Sequence, residues 1–166
     1  MPKELVATAP RTPTLREYED GPVPEGHVRI ETEFGAPKHG TEMTMYRGQR
    51  GAGFPMGLGN MCVGRITEIG NGVKDLEVGQ RVAGYGSLRQ THTWRAETVL
   101  IMSDTMTWKE AVCYDPSHFA LSGVRDAKLR AGDHVAVFGL GSLGQMSSQF
   151  ARVSGAATVT VVESRR

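Results

Sequence analysis

The run Val135-Ala136-Val137-Phe138-Gly139-Leu140-Gly141-Ser142-Leu143-Gly144 constrains the fold of this chain more than any other segment. It reads as a short buried strand entering G-x-G-x-x-G, with a helix-compatible segment directly after it. Nineteen residues past Gly144, the apolar run Thr158-Val159-Thr160-Val161-Val162 ends on Glu163. Strand, glycine turn, helix, strand and acid, in this order, form the dinucleotide-binding fingerprint. Gly139 allows the tight turn, Gly141 lets backbone approach a pyrophosphate, and Gly144 lets helix and sheet pack closely. The helix N-terminus offers N–H groups and a positive dipole end to phosphates. Leu143, Met146, Phe150 and Val153 fall on one face at helical spacing, and Gly155 ends the helix. Glu163 is placed to accept hydrogen bonds from an adenosine ribose. The expected cofactor-binding set is therefore Gly139, Leu140, Gly141, Ser142, Leu143, Gly144 and Glu163.

The chain has 166 residues, enough for one domain or one and a fraction. Its net charge is +1 without a basic cluster, which argues against nucleic-acid or acidic-membrane partners. No apolar run reaches the ~20 residues of a membrane span. The N-terminus lacks the apolar core of a signal peptide. Cys62 and Cys113 are far apart and form no CxxC pair, so a reduced, cytoplasmic setting is expected.

Residues 1 to about 100 read as β structure with many turns, in keeping with 21 glycines. His27 to Phe34 alternates with period two. Val63 to Ile69 alternates too, offset at Gly64, a place that fits a bulge. Asn71-Gly72 signals a turn. Arg81 to Gly84 and Thr93 to Met102 supply further strands. Thr107-Trp108-Lys109-Glu110 is a capping box that starts a helix. Pro116 is expected to interrupt it, with a second helical run over about 117–129. Ala131-Gly132-Asp133 turns into the nucleotide-binding strand.

The order of parts resembles the medium-chain dehydrogenase/reductase superfamily, nearly end to end. Gly64-x-Ile66-x-x-x-Gly70-x-x-Val73 followed by Gly79-Gln80-Arg81-Val82 is similar to that family's G-x-V-x-x-x-G-x-x-V…G-D-R-V signature. Ala131-Gly132-Asp133-His134-Val135 leading into the glycine turn is a further likeness. The resemblance implies a mixed fold: a GroES-like β-barrel catalytic domain over 1–125, then the first β-α-β unit of a Rossmann domain over 126–166. Family chains are roughly twice this long. A doubly wound domain does not end after two strands, so the sequence is expected to be the front part of a longer oxidoreductase, inactive alone. The parent is expected to be a homo-oligomer.

The departures from the family pattern concern metal. Zinc-using members carry C-G-[ST]-D, then G-H-E, then a cysteine or glutamate. Here these read His39-Gly40-Thr41-Glu42, Gly59-Asn60-Met61 and Asp115-Pro116. The would-be ligands are His39, Asn60 and Asp115. Asparagine is a poor zinc ligand, and a catalytic site needs three good ones. Gly40-Thr41-Glu42 with the later Tyr46-Arg47-Gly48 resembles a zinc-free branch, so no metal site is expected. Thr41 then stands where a hydroxyl hands on the substrate proton. Glu42 orients Thr41 or pairs with Arg47. His39 lines the cleft or relays protons. Asp115 is a catalytic candidate, with His118 nearby in sequence. Cys62 and Cys113 read as small buried hydrophobes. Met43, Met45, Met56 and Met61 either edge a pocket or fill core gaps.

The function implied is NAD-dependent hydride transfer between nicotinamide and a small alcohol or carbonyl substrate. NADP is disfavoured because the Glu163 carboxylate repels a 2′-phosphate; Arg165 and Arg166, past the strand, begin the next helix and point away. The alternatives are a zinc-free quinone or enoyl reductase, and a non-catalytic lapsed dehydrogenase used for binding.

Overall fold

A computed structural model describes residues 1–49, 51 and 53–164. Arg165 and Arg166, with the helix start expected there, lie outside the described residues. The chain divides into two compact units, Met1–Val112 and Cys113–Arg166.

The first unit is built on antiparallel strands. A hairpin, β1 (Lys3–Ala9) and β2 (Thr12–Glu17), pairs through β1 with the short β4 (Met56–Gly57). Arg11 turns this hairpin at φ 58. The five-stranded sheet has the order β7-β3-β5-β6-β8. Its members are β3 (His27–Ala36), β5 (Met61–Ile69), β6 (Arg81–Tyr85), β7 (Thr91–Arg95) and β8 (Leu100–Ile101). The alternation read in β3 points Val28 and Ile30 inward; they pack with Ile66 and Val82 beside Trp94, Val73, Leu76 and Val99. Each such fully buried side chain contributes about 1.5–3 kcal/mol.

The expected continuous strand over 93–102 is broken. A 3-10 turn at Ala96–Thr98 separates β7 from β8, and the Ala96 N–H donates to Gly26 O at 2.9 Å instead of extending a ladder. The bulge beside Gly64 is real but lies on its partner: the β3–β5 register shifts between Thr32 and Phe34. Gly64 is needed there because an added Cβ would sit 2.1 Å from Glu31 O. Gly84 and Gly86 likewise make room for rings, those of Trp94 and His92.

Two short helices belong to this unit. The α1 helix (His39–Tyr46) lies between β3 and β4 in the chain and has no marked apolar face, which is why periodicity did not reveal it. The α2 helix (Trp108–Ala111) starts with the expected capping box: Thr107 and Glu110 exchange side-chain-to-backbone bonds.

The second unit runs α3 (Tyr114–Asp126), β9 (His134–Phe138), α4 (Ser142–Val153), β10 (Thr158–Val162). Pro116 does not interrupt a helix. It occupies the first turn of α3, where no intrahelical N–H is required. β9 and β10 are parallel and in register from Thr158↔His134 to Val162↔Phe138, as a helical crossover requires. α4 buries only part of the expected face: Met146 and Phe150 are half-buried, with Met146 Sδ 3.6 Å from the Ser117 hydroxyl of α3, while Leu143 is half exposed, Val153 is 86% exposed and Ala151 is buried instead. Small residues win that face because α4 packs on both α3 and the strands. Among the described residues no helix is long and apolar enough to cross a membrane.

Candidate functional site

Apart from Asp115, the expected site residues fall into two groups, each within its own unit.

The first group is set by the end of the β3–β5 ladder. Ala36, last in β3, pairs with Met61, first in β5. The chain leaving β3 for α1 and the chain entering β5 through Gly59-Asn60 therefore emerge side by side. The 58–60 loop is held on all sides by main chain. Asn60 N–H donates to Ala36 O at 3.0 Å, Gly86 N–H donates to Asn60 O at 3.0 Å, and Leu58 N–H donates to Leu5 O at 3.2 Å. Gly59 has φ +100, and a Cβ there would meet Leu88 N at 2.6 Å. Only glycine satisfies both constraints.

Glu42 joins these two segments. Its Oε2 accepts the Lys38 N–H at 3.0 Å and its Oε1 accepts the Gly59 N–H at 2.9 Å. Lys38 is the residue before α1, and no side chain caps it in the usual N-cap sense. The Glu42 carboxylate, one turn in, reaches back to do so. His39 and Thr41 are exposed on the same turn. The Asn60 Nδ2 is closed off from solvent and has no hydrogen-bond partner among the described residues. Of the methionines, Met61 is buried in the core and Met43, Met45 and Met56 are half-buried. Burial pushes the Cys62 thiol up to about 11, against a smaller lowering by its hydrogen bond with Thr32. It is a protonated packing residue at neutral pH.

The second group surrounds the glycine turn. Gly139 leaves β9 with φ +91. A Cβ on Gly144 would stand 1.8 Å from Gly139 O, so α4 crosses the turn at a distance only glycine permits. Gly141 precedes α4, no side chain caps it, and the space a Cβ would take there is open. Ser142 and Leu143 form the first turn of α4, and the Gln145 amide donates to Leu140 O at 3.0 Å. Glu163 follows β10 directly, and its Oε2 accepts the Leu140 N–H at 2.8 Å. The acid read from spacing therefore does meet the turn. Asp115 is buried in the first turn of α3, and His118 is exposed, its ring edge-on to Phe119.

Sequence reasoning missed Gly59 and Lys38 as partners of Glu42. Their contacts depend on the β3–β5 register, which no local pattern encodes. Among the described residues no three His, Cys, Asp or Glu side chains are grouped as a metal ion requires.

Comparison with known proteins bears on both groups. The model of the alcohol dehydrogenase GroES-like domain matches residues 24–161. D-guloside 3-dehydrogenase of Escherichia coli is 44% identical, aligned with 97% of this chain and 54% of its own length. An alcohol dehydrogenase superfamily protein from Novosphingobium aromaticivorans superposes with a TM-score of 0.84 at 19% identity, covering 100% of this chain and 59% of that one. CAD from Helicobacter pylori, solved with NADP(H), gives 0.83 at 17% identity over 95% and 58%. These two likenesses concern the fold. The chain spans about half the length of the curated relatives it matches.

Proposed function

The chain belongs to the alcohol dehydrogenase GroES-like family, within the medium-chain dehydrogenase/reductase superfamily, and on that premise we propose that it serves NAD-dependent hydride transfer on a small hydroxyl or carbonyl substrate. The reading rests above all on the glycine turn: the contact of Gly144 with Gly139 O and the bond from Leu140 to Glu163 are what a dinucleotide cradle needs. The cofactor fits the residues present. Gly141 leaves open space for a pyrophosphate, and the uncapped start of α4 at Ser142 and Leu143 offers N–H donors. Under this proposal residues 1–125 are the GroES-like catalytic domain, and 126–166 begin a Rossmann domain. The compact units part earlier, at Cys113, because α3 packs on α4.

When bound, the dinucleotide supplies the hydride acceptor or donor. The chain's own residues position the substrate and manage the proton. Thr41, exposed on α1, hands on the hydroxyl proton of the substrate; His39, exposed two residues earlier, relays it onward. Asp115 stays a proposed catalytic residue on its burial alone. The relative that acts on a D-guloside suggests a secondary hydroxyl of a sugar or polyol as substrate. NAD is the preferred cofactor because Glu163 presents a carboxylate where NADP carries a phosphate. A homo-oligomeric, cytoplasmic enzyme without nucleic-acid or membrane partners completes the proposal; no disulfide joins Cys62 and Cys113.

The test is the absorbance change of NAD(H) when the full-length protein is given a panel of simple alcohols, polyols, methyl glycosides and quinones. Oxidation of a polyol or glycoside with NAD supports the reading. Reduction of quinones with NADPH alone replaces it with the quinone-reductase alternative, and no turnover with bound cofactor favours a lapsed, binding role.

A further inference from the structure

The fold family implies zinc held by residues at the positions of His39 and Asn60, and the donor set here does not fit it. Asn60 turns an N–H-bearing Nδ2 to a solvent-free position with no partner among the described residues, and its backbone N–H and C=O are both engaged. A neutral amide, by its nitrogen or its oxygen, is a poor zinc ligand beside the histidine, cysteine and carboxylate donors such a site uses. His39 is exposed. Both Glu42 oxygens are committed to main-chain N–H groups.

A metal in that position would tie two separate segments together, the start of α1 and the loop before β5. The Glu42 bonds join these same segments: one oxygen accepts from Lys38 at the start of α1, the other from Gly59 in the loop. We infer that the Glu42 carboxylate takes over the cross-linking part of the metal's work, fixing the Thr41 turn against the Gly59-Asn60 loop. The inference deepens the proposed function and rests on it only for its consequence in catalysis.

Three observations carry it. The two acceptors belong to one charged group, which makes both bonds charge-assisted and geometrically coupled. Gly59 stands between Leu58 and Asn60, whose main-chain groups are bonded to Leu5, Leu88, Ala36 and Gly86, so its N–H is held in place from both sides. The residues flanking the cross-link, Thr41 and Asn60, are those where proton transfer and metal ligation are expected from the family pattern. Glu42 is accordingly a positioning residue: each of its oxygens already accepts a main-chain N–H, so protonating the carboxylate would weaken the cross-link it makes.

The test compares wild type with Glu42→Gln and Glu42→Ala. Amide exchange is followed at Lys38 and Gly59, with and without chelator. NADH affinity, and kcat and KM for sorbitol and 2,3-butanediol over a pH range, are measured alongside. We expect slow exchange of both amides in wild type, unchanged by chelator. In Glu42→Ala both exchange at least tenfold faster. KM for both polyols rises about tenfold, NADH affinity stays within twofold, and the shape of the pH–rate profile is kept; Glu42→Gln, which retains one acceptor oxygen, falls between. Protection of Gly59 lost on chelation would make a metal the cross-link. A limb of the pH profile lost in Glu42→Gln, with both amides still protected, would make Glu42 a proton-transfer group. Unchanged exchange in Glu42→Ala would end the inference outright. The kinetic arm uses the full-length protein; if that shows no turnover, the proposed function fails while the exchange and chelator arms still decide the cross-link.

Discussion

The Glu163 carboxylate accepts the main-chain N–H of Leu140 at 2.8 Å, bridging the end of β10 and the glycine turn that follows β9. The acid is thus oriented before any ligand arrives. One oxygen is spent on the turn, and the other is near the Ser164 hydroxyl at 3.4 Å, a weak, exchangeable contact.

Cofactor choice follows from that orientation. NAD is predicted to bind at least about tenfold more tightly than NADP, or ~1.4 kcal/mol, because the fixed carboxylate meets a 2′-phosphate with like charge. Glu163→Ser should narrow the gap. Titration of both dinucleotides by fluorescence checks this; equal affinities before the change would remove Glu163 from the ribose site.

Gly144 is predicted to be a folding position as well as a binding one. Its missing Cβ would lie 1.8 Å from Gly139 O and 2.9 Å from Gly139 C, both backbone atoms that cannot swing aside. Gly144→Ala should destabilise by about 1–3 kcal/mol or more, the range for overpacked sites. A chemical-denaturation midpoint equal to wild type would contradict the crossing of α4 over the turn.

What was legible in the sequence was mostly local. The inward pattern of β3, the capping box at Thr107 and the glycine turn each rest on residues within a few positions of one another, and each is present as read. The failures have physical causes of two kinds. Pro116 and the strand expected over 93–102 were misread because one local rule was applied where another governs: proline fits a first helical turn, and Ala96 finds its hydrogen bond at Gly26. The cross-link through Glu42 was unreadable because Gly59 reaches it only through the β3–β5 register, 17 residues away in the chain. Likewise Val153 carried the right spacing for a buried face, but packing of α4 on α3 chose another.

Acid sensitivity should come from His92. It is buried beside Trp94, with ring centroids 5.0 Å apart, and its Nε2 has no hydrogen-bond partner among the described residues. Burial, and then the Arg89 cation, push its pKa down to about 4, against smaller opposing effects of a Ser87 backbone bond and Asp20. An unfolded histidine titrates near ~6.5, so the fold holds His92 neutral and loses stability when a proton must be bound. The contribution is fully present above about pH 6.5 and is lost as pH falls toward about 4, by up to ~3 kcal/mol. Denaturation midpoints measured from pH 7 to 4 should fall in wild type and fall less in His92→Gln. Parallel curves would assign the acid sensitivity elsewhere.

The central claim, that the glycine turn holds a dinucleotide, is tested most directly at Gly141. Its φ is −68°, and nothing lies within 4 Å of the Cβ that alanine would add. The fold therefore tolerates Gly141→Ala, and only a ligand pressed against the turn would meet the new methyl. The measurement is NADH affinity of Gly141→Ala and wild type, with thermal unfolding of both. The account predicts binding weakened at least about tenfold, or ~1.4 kcal/mol, at an unchanged melting temperature. Equal affinity in the two proteins would contradict it.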